Sequence, residues 1–98
     1  MIKVVNKKEY KGDGVYIGRP GVLGNQFSVE TWGREKCIEK YLEWLRGEWI
    51  RDGVVKHELL RLVELSKKGD LVLVCWCKPL ACHGDVVKEV VEKLAKIP

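Results

Sequence analysis

No apolar run in this 98-residue chain approaches the roughly 20 residues that a membrane-crossing helix needs. The N-terminal stretch also lacks the apolar core of a secretory signal, because Lys3, Lys7, Lys8 and Lys11 interrupt it. Internal repeats, low-complexity tracts and linkers are missing too, so residues 1–98 are expected to form one domain around one core. There are no paired C-x-x-C knuckles, which removes the usual zinc-finger signature. The phosphate loops G-x-x-x-x-G-K-[ST] and G-x-G-x-x-G are absent as well, so no standard nucleotide motif announces itself. Together these absences predict a cytoplasmic, non-membrane domain whose cysteines are reduced and act as ligands, nucleophiles or small core residues. Disulfides are disfavoured: Cys75 and Cys77 would be strained partners on one strand face, and Cys37 stands alone in a helical pattern.

What is present is an ordinary globular balance, 46% hydrophobic and 33% charged, with four tryptophans that supply much apolar area to a small core. The net charge is +4, and its placement is uneven. Residues 1–27 carry five cations (Lys3, Lys7, Lys8, Lys11 and Arg19) against Glu9 and Asp13, leaving +3 of the total there. A basic lean of this kind suits an anionic small molecule or nucleic acid.

The pattern of elements reads strand, strand, helix, helix, strand, helix. Ile2–Asn6 and Val15–Ile17 are rich in β-branched residues and are separated by a Gly12-Asp13-Gly14 turn. Ile38, Tyr41, Leu42, Leu45 and Trp49 recur at three- and four-residue steps, predicting a helix from about Arg34 to Arg51, with Gly47 as a candidate break. A second helix is expected over about Val55–Lys68, closed by Lys67, Lys68 and Gly69. Leu71–Trp76 is apolar on both faces, as in a central strand covered on two sides. A last helix over about Gly84–Lys96 buries Val86, Val87, Val90, Val91 and Leu94. Strands separated by helices predict an α/β fold, a small three-layer Rossmann-like domain with a short, mostly parallel sheet.

Two segments carry chemistry. Three of the four cysteines and one of the two histidines lie between Cys75 and His83. Opposite them in this topology is the loop Gly18-Arg19-Pro20-Gly21-Val22-Leu23-Gly24-Asn25. If the strands at Val15 and Leu71 are parallel, both segments leave the carboxyl edge of the sheet, where open α/β sheets bind ligands. Arg19 offers a planar fork for phosphate or carboxylate, with the backbone of Gly18, Gly24 and Gly84 and the amide of Asn25 as further ligand-binding candidates. Cys82 precedes a helix whose N-terminus lowers thiol pKa, and His83 is a neighbouring base. Asp85 is a first-turn carboxylate that could orient His83, and Cys77 completes the catalytic candidates. The alternative reading takes Cys75, Cys77, Cys82 and His83 as zinc ligands in a non-catalytic interaction module. A further alternative is a nucleic-acid accessory protein using Lys7, Lys8, Lys11 and Arg19. Cys37 and His57 are assigned packing or surface roles, Trp76 is expected under a helix, and Trp32 is expected to be exposed.

The motifs Val15-Tyr16-Ile17-Gly18-Arg19, Gly24-Asn25-x-Phe27, Tyr41-x-x-Trp44-Leu45 and Cys75-Trp76-Cys77-x-Pro79-x-x-Cys82-His83-Gly84-Asp85 resemble the DUF4326 family over nearly the whole chain. Gln26 departs from that pattern, standing where proline is usual. The resemblance implies a site at these motifs and no particular reaction. The resulting expectation is an anionic, nucleotide-type ligand held between the Gly-Arg loop and the Cys/His segment.

Overall fold

Strand β3 (Leu71–Cys75) is the centre of the molecule, as its two apolar faces require. In the computed structural model, which describes residues 1–78 and 80–97, it is flanked by β1 (Ile2–Asn6) and β2 (Val15–Tyr16) in the order β1-β3-β2. Pro79 of the thiol segment and the terminal Pro98 lie outside the described residues. Both pairings are parallel, with Ile2 opposite Leu71, Asn6 opposite Cys75 and Val15 opposite Leu73. The Ile17 N–H continues the β2 side of the ladder by donating to the Val74 carbonyl at 3.0 Å.

The helices are α1 (Val29–Trp32), α2 (Arg34–Arg51), α3 (Val54–Lys68) and α4 (His83–Ala95). Helix α1 is a single turn that periodicity could not register; Ser28 caps it by accepting from the Thr31 N–H. Helix α2 runs through Gly47 unbroken and ends at Asp52 in the left-handed region. Trp32 is exposed, with the Lys40 ammonium 4.2 Å from its ring centroid.

The three-layer expectation needs correcting. Helices α3 and α4 pack on β3 and on each other, α2 packs on both, and α4 also reaches β1. Mutual contact puts all three on one face of the sheet. Its side chains Ile2, Leu71, Leu73 and Cys75 join Tyr41, Leu59, Leu62, Val87 and Val91 in one core. The opposite face has no helix among the described residues: the Gly14 backbone crowds Val72 and Val74, so that a Cβ there would come within 2.7 Å of Val74 Cγ2. The shortest dimension of 20 Å agrees with one sheet and one helical layer about 10–12 Å thick. The fold is therefore a two-layer mixed α/β domain with a short three-stranded parallel sheet.

Candidate functional site

A parallel sheet sends the chain out of every strand at the same edge, so the residues after β2 and β3 meet there. A cavity of about 290 Å³ opens at this place. The Gly-Arg loop contributes Gly18, Arg19 and Asn25, and the thiol segment contributes Cys77, Cys82 and His83. The predicted juxtaposition of the two segments is thus observed. A larger apolar groove of about 490 Å³ lies between α2 and α4, but its lining holds no thiol or imidazole.

The thiol segment is held by polar contacts from distant parts of the chain. The Asn6 amide donates to the Trp76 and Lys78 carbonyls at 3.1 and 2.7 Å, and the Arg34 guanidinium donates to the Ala81 carbonyl at 2.8 Å. Neither residue looks functional in the sequence, yet Arg34 also lines the cavity and brings a second cation to it. Cys37, assigned to packing, is buried on the same wall and donates its S–H to the Arg34 carbonyl at 3.2 Å. His57 is on the surface, 3.6 Å from Asp52 Oδ1.

His83 begins α4 and is buried, with Nε2 2.7 Å from the Ile17 carbonyl and its ring edge-on to Tyr41 at 4.9 Å between centroids. Because a carbonyl only accepts, Nε2 carries the hydrogen and Nδ1 holds the lone pair. Burial lowers the imidazole pKa, partly opposed by the Ile17 hydrogen bond, and keeps the ring neutral. The Tyr41 hydroxyl in turn donates to the Leu23 carbonyl at 2.7 Å, joining α2 to the Gly-Arg loop.

Cys82 does not pair with His83. Its Sγ lies 3.4 Å from Cys75 Sγ, and both thiols are buried. Either thiol can donate to the other across this contact. Hydrogen bonding from Cys82 lowers the Cys75 thiol to about 5 against the cost of burial, with help from the backbone N–H groups of Cys77 and Lys78. The same neighbour, together with burial, pushes the Cys82 thiol up.

Asp85 does not orient His83 either. It accepts from the Cys82 N–H at 3.2 Å and forms an ion pair with Lys78, so it caps the helix and anchors the loop. Of the proposed zinc ligands, Cys75 and Cys82 face each other and His83 Nε2 faces the Ile17 carbonyl. Among the described residues no three His, Cys, Asp or Glu side chains form a metal-ligand group. Cys77 is displaced from Cys75 because β3 ends at Cys75, so the strand alternation that would align their sulfurs stops there.

Two glycines also change role. A Cβ on Gly84 would meet Val4 Cγ1 at 2.8 Å, and one on Gly24 would meet Arg19 Cα at 2.9 Å. Their missing side chains make room for the protein itself rather than for a ligand. Asn25 lines the cavity, and its side-chain oxygen accepts from the Phe27 N–H at 2.9 Å to hold the turn. Trp76 is half exposed, not covered by a helix, because it lies on the sheet face that no described helix covers. Its indole N–H donates to the Tyr16 hydroxyl at 3.0 Å, which donates to the Arg19 carbonyl at 2.8 Å.

Fold and site define a small parallel-sheet α/β protein with a cavity of thiols, imidazole, cations and aromatics at its carboxyl edge. The chain belongs to the family described as Domain of unknown function (DUF4326), whose pattern it matches over residues 2–93. It is 33% identical over 97 residues to a protein of Enterobacteria phage T4, described as an uncharacterized 12.4 kDa protein in the nrdA-td intergenic region. That similarity covers 98% of this chain and 82% of the phage protein. No solved structure matches significantly.

Proposed function

We propose that the carboxyl-edge cavity binds an anionic small molecule of nucleotide type. The observation that carries this reading is the meeting in one cavity of two guanidinium groups, Arg19 and Arg34, with the Tyr16–Trp76 aromatic pair. Guanidinium forks suit phosphate or carboxylate oxygens, and an indole face suits a base. A volume of about 290 Å³ is at the small end of ligand pockets and favours one nucleotide over a dinucleotide. Cys77, Cys82 and the neutral His83 line the same space, so any chemistry on the ligand falls to them.

The reading predicts that one member of a panel of nucleoside mono-, di- and triphosphates raises the melting temperature. At a ligand concentration of about 100 times Kd the gain is about 2.7 kcal/mol, or roughly 14 °C for a domain of this size. Arg19→Ala should remove most of that rise. A flat response across the panel, or full retention of it in Arg19→Ala, rules the reading out.

A second reading has one observation in its favour. The Lys7 ammonium lies 5.4 Å from the Tyr16 ring centroid, beside the half-exposed Trp76, with Lys8 and Lys11 in the turn that follows β1. A single strand of nucleic acid could follow that basic and aromatic rim. Its affinity would fall steeply with salt, and a salt-independent affinity excludes it.

A further inference from the structure

We propose that Cys75 and Cys82 form a redox-active dithiol that closes to an intramolecular disulfide, Cys82 meeting the oxidant and Cys75 resolving it. The proposal does not depend on which ligand the cavity takes.

The two sulfurs are 3.4 Å apart, within a side-chain adjustment of the roughly 2.05 Å bond. Each cysteine is set in a fixed element. Cys75 closes the central strand, and its carbonyl accepts from the Lys7 N–H at 2.7 Å. Cys82 is the residue before α4, and its N–H is held by Asp85. The segment between them is tied down by Asn6 at Trp76 and Lys78 and by Arg34 at Ala81. Closing the pair therefore asks only for side-chain adjustment between two anchored elements. Cys37 is engaged with the Arg34 carbonyl on α2.

Access sets the order of events. Cys82 lines the cavity, whereas Cys75 does not and lies behind it. An oxidant that enters the cavity thus reaches Cys82 first. The contact favours the anion on Cys75, so the Cys75 thiolate can take the Cys82 proton across the 3.4 Å separation as Cys82 attacks.

With a low-molecular-weight disulfide as oxidant, Cys82 attacks one external sulfur as its proton passes to Cys75, forming a mixed disulfide and releasing one small thiolate. Cys75 then attacks Cys82 Sγ, the mixed disulfide breaks, and the second small thiolate leaves. The two protein sulfurs lose two electrons and the external disulfide gains two; the proton passed to Cys75 leaves on one released thiolate, and the other released thiolate takes its proton from water.

The test uses the folded full chain and 2-hydroxyethyl disulfide, a reagent small enough for the cavity, followed by unfolding, alkylation and peptide mass mapping. The expected result is loss of two of the four alkylatable thiols, with a Cys75–Cys82 cross-link. A Cys75→Ser variant, verified as folded by circular dichroism, should stop at a mixed disulfide on Cys82. Four alkylated thiols, a cross-link through Cys37 or Cys77, or an adduct on Cys77 alone in the wild type overturns the proposal. The wild-type map decides even if the variant does not fold.

Discussion

On the helix-covered side of the cavity the side chains are sealed from water; on the open side they are about half exposed. His83 donates to Ile17, Cys82 meets Cys75, and Tyr41 donates to Leu23, with fractional exposures of 7%, 2% and 0% for His83, Cys82 and Tyr41. Trp76 and Tyr16, across the cavity, are 50% and 37% exposed. The difference follows from the layering: three helices seal one face of the sheet, and the other is covered around Val72 and Val74 by the Gly14 turn. It teaches that residues lining one cavity need not share a role. The inner wall should govern stability and the outer wall recognition.

The strongest way to break that division is His83→Ala. The substitution empties a buried aromatic-sized space against Tyr41 and strips the Ile17 carbonyl of its imidazole donor. Cavity formation and an unpaired buried acceptor together should cost about 3 kcal/mol, lowering the melting temperature by roughly 15 °C. Urea unfolding measures it. A loss below about 1 kcal/mol would mean that the inner wall is not the stabilising one.

Much of this contrast was legible in part. The central position of β3 could be read because Leu71, Leu73, Val72 and Val74 make both faces apolar, and the start of α4 near His83 follows from the valine periodicity. What covers the second face could not be read, because Val72 and Val74 look the same under a helix or under a glycine turn. The Cys75–Cys82 pairing was hidden by the alternation rule, which aligns Cys75 with Cys77 until the strand ends. Arg34 gave no signal, since an arginine at a helix start resembles any surface cation. Gly24 and Gly84 misled for a related reason: a glycine needed for close approach of a ligand and one needed for close approach of the chain are identical in sequence.

A smaller effect sharpens the comparison through pH. The folded state lowers the His83 pKa, so the unfolded chain binds that proton more readily. Stability should be intact above the ordinary histidine value of about 6.5 and fall as pH drops below it, by at most about 1.4 kcal/mol per pH unit. The lowered Cys75 thiol acts in the same sense below the ordinary thiol range, because the folded state favours its deprotonated form. A His83→Gln variant separates the contributions: the slope just below pH about 6.5 should flatten in the variant. An unchanged slope would assign the acid sensitivity to the thiols alone.

The smallest stability effect is expected on the outer wall, at Trp76→Ala. The indole is half exposed and its one hydrogen bond, to Tyr16, is also near solvent, so its removal should change unfolding free energy by about 0.5 kcal/mol. Recognition should respond differently. If the indole is the stacking face for a bound base, its loss removes about 1–3 kcal/mol of binding, and the ligand-induced rise in melting temperature should shrink accordingly. The informative measurement is therefore the pair of values, unfolding free energy without ligand and thermal shift with it, taken on His83→Ala and Trp76→Ala together. A large loss of stability at Trp76 would make both walls structural. A small loss at Trp76 with an undiminished ligand shift would move recognition from the aromatic pair to the two arginines.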